Sequence, residues 1–270
     1  MASVPDRIDG PIAVIGDVHG QTEKLRAIIR QLARLPDIQH RWIVFIGDLV
    51  DRGPDPSGTV QLYCDLAKQH TKVTWLCGNH ELAMACSIGL IKVPEYVDFS
   101  ERWVTLYDSH TTFESYGVAH GDLDGLKNAM PEEHRRLMSD LPWGIEHREY
   151  LFVHAGLDRN MPFDTQVRIL RERDYSLTHP PWLYSKEYIT QGAPSDCPVT
   201  VVVGHVPLPG VYFGNGMIGT DTGAGSGADL SCVLLPENVV LTSAEEAPPQ
   251  PAAAVPVQDP VRKRPWWRAW

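Results

Sequence analysis

The chain has no C-x-x-C pair. Its five cysteines (Cys64, Cys77, Cys86, Cys197 and Cys232) are odd in number and scattered. That pattern argues against a disulfide framework or a zinc knuckle and leaves buried, reduced thiols as the expectation. Also absent is any apolar run approaching the ~18 residues that a membrane-spanning helix needs. Met1 to Gly10 is polar and has no apolar stretch of the kind a secretory leader carries, so a cytoplasmic protein is expected. Positive charge is not in excess either. With 24 basic and 34 acidic side chains, the formal charge is −10 with histidine neutral. Duplex nucleic acid attracts the opposite sign and is not an expected partner.

What the 270 residues do hold is apolar material, 43% of the chain, enough for a sizeable core. Residues 11–16 (P-I-A-V-I-G) and 42–47 (W-I-V-F-I-G) are short runs rich in β-branched residues, each ending in Gly-Asp, and read as buried strands. Helical spacing of Leu25, Ile28, Ile29, Leu32 and Leu35 predicts a helix over 22–35, and a second is expected over 57–69. A third strand follows over 72–77. This alternation implies an α/β layered core. Residues 82–138 are less regular. Strands are expected at 150–153 and 200–203, and the short runs at 211–213, 217–220, 231–235 and 239–241 suggest an antiparallel, meander-like ending. From about residue 243 the chain turns rich in proline and alanine and closes on R-K-R-P-W-W-R-A-W. One domain over 1–242 and an unpacked tail over 243–270 are therefore expected. The tryptophans and cations of 262–270 suit weak contact with a membrane or a partner.

Five polar clusters sit just past strand ends: G-D-V-H-G (16–20), G-D-L-V-D-R-G (47–53), G-N-H-E (78–81), H-A-G (154–156) and G-H-V-P (204–207). Ligands of α/β sheets gather at the carboxyl ends of strands, so residues far apart in sequence can converge there. The clusters supply Asp17, His19, Asp48, Asn79, His154 and His205. Two carboxylates, three imidazoles and an amide oxygen suit borderline divalent ions such as Mn, Fe or Zn rather than calcium. Six side chains are too many for one tetrahedral ion and suit two ions sharing a ligand, most naturally Asp48. Two metals about 3.5–4 Å apart are built for in-line displacement at phosphorus.

The order and wording of these clusters resemble the PPP family of metal-dependent phosphoprotein phosphatases, within the calcineurin-like metallophosphoesterases, in its bacterial serine/threonine form. The resemblance runs from about residue 11 to 242 and takes in D-T-G-A-G (221–225). It implies a four-layer α/β/β/α sandwich with a dimetal site at the strand carboxyl ends. Asp17, His19 and Asp48 would hold one metal, and Asp48, Asn79, His154 and His205 the other. His80 matches the general acid that protonates the leaving group, Asp51 the carboxylate that orients it, and Arg52 the guanidinium that grips phosphate. Glu81 is expected to support its loop.

Bacterial relatives commonly carry a second arginine in a stretch like W-I-R-E-x-F. The nearest match here, Y-S-K-E-Y (184–188), puts Lys186 in its place, with Arg173 and Arg171 as alternatives. His120 is expected to be a structural or supporting histidine, not a ligand. The implied activity is hydrolysis of phosphoserine, phosphothreonine and small aryl phosphates by a hydroxide bridging two divalent ions, with Mn the first choice in vitro and Fe or Zn as others. The implied partner is a phosphorylated protein or small phosphoester, met by a monomer. Hydrolysis of dinucleoside polyphosphates or polynucleotide ends is the alternative, although Asp51 stands where symmetrically cleaving relatives often carry alanine. A silent phosphoprotein-binding module would show loss of a ligand or of the His80–Asp51 pair, and neither is lost.

Overall fold

The computed structural model describes residues 5–94, 96–175, 177 and 179–244. Its strands are β1 (Ile12–Ile15), β2 (Trp42–Phe45), β3 (Val73–Trp75), β4 (Gly144–Glu146), β5 (Tyr150–Val153), β6 (Thr200–Val203), β7 (Tyr212–Gly214), β8 (Met217–Gly219), β9 (Ser231–Leu235) and β10 (Val239–Thr242). They form two five-stranded sheets, in the orders β10-β9-β1-β2-β3 and β4-β5-β6-β8-β7. β1, β2 and β3 run parallel in the first sheet, and β5, β6 and β8 in the second.

Period-2 alternation explains the layering. Ile12 and Val14 of β1 and Val44 of β2 meet Phe152, Val202 and Ile218 of the opposing sheet in one apolar cluster. Their neighbours Ala13, Ile15, Ile43 and Phe45 belong to a second cluster shared with the helices. α1 (Thr22–Leu32) and α2 (Pro56–Gln69) lie against each other on the first sheet, touching β10 and β3 respectively. The result is the expected α/β/β/α order. α1 stops at Leu32 rather than Leu35, because Pro36 disfavours helical geometry in the residue before it. α2 starts cleanly, with the Asp55 carboxylate accepting the Gly58 N–H at 2.9 Å and Pro56 in the first turn.

The irregular stretch after β3 resolves into five helices: α3 (Asn79–Ser87), α4 (Ser100–Leu106), α5 (His110–Ser115), α6 (Leu123–Ala129) and α7 (Glu132–Met138). α8 (Phe163–Glu172) covers the outer face of the second sheet with Phe163, Val167 and Leu170.

The meander-like ending needs correcting. The β7–β8 hairpin joins the second sheet, where β8 runs parallel to β6, while β9 and β10 cross to the first sheet, β9 antiparallel to β1. β9 is buried at all five positions and sits inside its sheet, whereas β7 is half-exposed and forms an edge. Such short strands carry no signal for choosing a neighbour. β4 was not foreseen; its Glu146 forms a bridge with Arg7. The five cysteines are free, with Cys64, Cys77 and Cys232 buried. Among the described residues no helix is long and apolar enough to cross a membrane. The predicted tail contacts fall on 262–270, outside the described residues.

Candidate active site

The clusters converge at one end of both sheets. Asp17 and His19 follow β1, Asp48 to Arg52 follow β2, Asn79 and His80 open α3 after β3, His154 follows β5 and His205 follows β6. The turns are sharp enough to force side-chain-bearing residues into left-handed geometry: His19 (φ 45°), Asp48 (52°), Asp51 (69°), Arg52 (63°) and His205 (67°). Such strain persists where surroundings over-determine it, as they do at a working site. Two glycines permit the crowding. A Cβ on Gly78 would strike Asp48 Oδ1, and one on Gly204 would strike Asp17 Oδ1.

Asp48 is common to two groups of potential ligands, His19–Asp48–His80 and Asp48–His154–His205, with the ligand atoms of each group within 4.8 Å of one another. Asp48 Oδ2 lies 3.4 Å from His19 Nε2 and 3.4 Å from His154 Nε2. His154 Nε2 is also 3.2 Å from Asn79 Oδ1. His19 Nδ1 donates to Val50 O and His154 Nδ1 to Ile46 O, each at 2.9 Å. A carbonyl only accepts, so Nδ1 carries a proton in both rings, and Nε2 is the nitrogen that would turn a lone pair to a metal in the cluster. Asp17 Oδ2 accepts the His205 N–H at 2.9 Å, while Asp17 Oδ1 and His205 Nε2 are buried without a hydrogen-bond partner. An unpartnered carboxylate oxygen and an unpartnered imidazole nitrogen, gathered with the Asp48 carboxylate and the His19 and His154 rings, fit a pair of divalent ions.

Charge is unevenly held. Burial opposes ionisation of Asp48, but the imidazoles of His154, His80 and His19 keep its carboxyl well below the usual range. Burial pulls His154 down, yet the Asp48 charge prevails and pushes it up to about 10. Burial and then Asp221 push Asp17 up, and burial with the His154 charge takes His205 down to about 3.

Beside this cluster, His80 Nδ1 donates to Asp51 Oδ2 at 2.7 Å. Asp51 is fully buried and takes two more donors, Trp103 Nε1 on Oδ2 at 2.9 Å and Thr112 Oγ1 on Oδ1 at 2.5 Å. Arg52, exposed at the mouth, donates to His19 Nε2 at 2.9 Å and to His80 Nε2 at 3.3 Å. Glu81 accepts four backbone N–H groups, from Asp48, Leu49, Val50 and Gly78, at 2.7–3.2 Å. Burial and the Asp48 charge push its carboxyl up to about 7, while the four donors favour the ionised form.

Lys186 is exposed and close enough to lower the His205 pKa. Arg171 is committed to Glu146 through two bonds of 2.6 and 2.8 Å, away from the site, and Arg173 to Asp140. His120 is exposed, donates to Val104 O at 3.1 Å and packs on Phe113. Sequence reasoning missed Trp103, Thr112 and Asp221. Trp103 and Thr112 lie 52 and 61 positions from Asp51 and carry no motif of their own. Asp221 stands in the noted D-T-G-A-G.

A sequence model described as calcineurin-like phosphoesterase matches residues 10–222. The asymmetrical bis(5'-nucleosyl)-tetraphosphatase PrpE of Oceanobacillus iheyensis is 26% identical over 262 residues, 88% of this chain and 93% of that protein. Two Caenorhabditis elegans relatives match at 42% and 37% identity over 76 and 75 residues, 28% and 27% of this chain; the second is a serine/threonine-protein phosphatase 6 catalytic subunit. Those matches span only 16% and 22% of the two relatives. A solved serine/threonine phosphatase from Saccharomyces cerevisiae shares the fold, with a TM-score of 0.58 at 17% identity, covering 87% of this chain and 78% of that one.

Proposed function

The chain belongs to the calcineurin-like phosphoesterase family, and from that premise we propose that it hydrolyses phosphoserine, phosphothreonine and small aryl phosphates. Two divalent ions would be held among Asp17, His19, Asp48, Asn79, His154 and His205, with Asp48 shared between them. Mn is the first ion to supply, and the same donors accept Fe or Zn. When bound, such a pair stabilises charge developing on the phosphoryl oxygens and lowers the pKa of water. The chain's own residues do the rest. Arg52 grips phosphate oxygens through its planar fork, and Lys186 adds an unforked positive charge at the rim. His80, held by Asp51, gives the proton to the departing oxygen. The substrate is a phosphorylated protein or small phosphoester, taken by a monomer.

The observation carrying this reading is the buried His80–Asp51 pair, 2.7 Å apart, at the edge of the ligand cluster. An alkoxide is a poor leaving group and needs that proton, whereas a nucleotide leaves through a phosphate that is already a weak base. Cleavage of a bis(5'-nucleosyl) tetraphosphate is the second reading, favoured by the near full-length similarity to PrpE. Chelator-stripped protein, reloaded with Mn²⁺, should turn over a phosphoserine peptide and p-nitrophenyl phosphate. Cleavage of diadenosine tetraphosphate alone would replace the first reading with the second. Bound metal without turnover of any of the three would indicate a binding module.

A further inference from the structure

The segment from α4 to α5 grips the His80–Asp51 pair at several points. Asp51 Oδ2, which holds His80 Nδ1, also takes Trp103 Nε1 at 2.9 Å. Oδ1 takes Thr112 Oγ1 at 2.5 Å, and the same hydroxyl accepts the Asp51 N–H at 3.0 Å. Asp51, Trp103 and Thr112 are each 0% exposed, so water does not substitute for either donor. Between them, Asp108 O accepts the Arg52 N–H at 3.2 Å, and the Tyr107 ring lies 4.6 Å from that of His80. Both Asp51 and Asp108 have positive φ, 69° and 53°, so the two loops are held in strained backbone where they meet.

We infer that Trp103 and Thr112 are positioning residues for the leaving-group acid. They act through Asp51 to fix the His80 ring, and they set how well esters with poor leaving groups are cleaved. As the ester P–O bond breaks and the oxygen of water bonds to phosphorus, His80 in its imidazolium form, with Arg52 turned from Nε2 to the phosphate, passes its Nε2 proton to the departing alkoxide. The proton released from that water restores His80. With one donor removed, Asp51 and His80 gain freedom to turn, and the cost falls on esters whose leaving oxygen most needs the proton. This inference rests on the reading of His80 as the acid.

The test is kcat/KM of the Mn-loaded protein on a phosphoserine peptide and on 2,4-dinitrophenyl phosphate, whose leaving group needs no proton. The variants are Trp103→Phe, Thr112→Val and Thr112→Ser, with His80→Asn as reference and bound metal measured in each. Trp103→Phe and Thr112→Val should lose ~10-fold more on the peptide than on the aryl ester, the scale of one charge-assisted hydrogen bond. Thr112→Ser, which keeps the hydroxyl, should recover most of that loss, with metal content unchanged throughout. Equal losses on both esters, or a Thr112→Ser as impaired as Thr112→Val, would overturn the inference. Should Trp103→Phe fail to fold, the two Thr112 variants decide alone. If His80→Asn itself loses equally on both esters, the acid reading fails and this inference with it. A selective loss in His80→Asn beside uniform losses at 103 and 112 sinks only the inference.

Discussion

Charged side chains are buried at both ends of the sandwich, and the two ends satisfy them differently. At the amino ends of β1 and β2, Arg41 is 2% exposed and donates to Ile12 O at 2.9 Å and Leu235 O at 3.0 Å. Its Nη2 reaches Asp37 at 2.6 Å and Glu237 at 2.7 Å, and only Nε is left over. Glu146, also towards that end, is closed by Arg171 and Arg7. At the carboxyl ends, Asp17, Asp48, His154 and His205 crowd together, with Asp17 Oδ1 and His205 Nε2 bonded to nothing. Charges whose hydrogen bonds close within the chain hold the architecture. Lone pairs that converge without donors mark a place for a cation.

Substitution should separate the two ends. Asp48→Asn removes the carboxylate shared by both ligand groups. It should take turnover to background and lower bound metal while leaving the circular dichroism spectrum of the fold unchanged. Arg41→Ala should do the reverse. Two buried carbonyls lose their donor and two ion pairs are lost, which costs about 2–3 kcal/mol in urea unfolding once the partial exposure of Asp37 and Glu237 is allowed for. Activity per folded molecule should stay. A loss of activity in Arg41→Ala matching that of Asp48→Asn would erase the distinction between the ends.

The smallest expected effect is on pH. Hydrogen bonding to Arg41 holds the Glu237 carboxyl below its ordinary 4.5. Its share of stability is therefore complete above that value and fades as pH falls through the lowered one. The stability gap between wild type and Arg41→Ala should narrow on acidification from pH ~5 to ~3. A gap that widens would contradict the pairing.

The contrast between the ends also explains what the sequence could and could not reveal. Asp17, Asp48, His154 and His205 were legible because each follows an apolar, strand-like run with a glycine within two residues of it, and the chemistry sits where the strand stops. The alternation of strand-like runs with the helically spaced residues of 22–35 and 57–69 carried the layered fold in the same way. Trp103 and Thr112 were not legible, since their part depends on how α4 and α5 pack against the β2 loop, which no local spacing encodes. Lys186 was read from a motif position, and its neighbourhood of His205 is a matter of tertiary folding. β4 was too short, and β9 too evenly apolar, to declare a partner.

The most direct test of the account is a calorimetric titration of chelator-stripped protein with Mn²⁺, with elemental analysis of the saturated protein. Two ions per chain in the wild type, falling to one or none in Asp48→Asn, is the predicted result. A single ion in the wild type, or two retained in Asp48→Asn, would contradict a pair of cation sites built around Asp48.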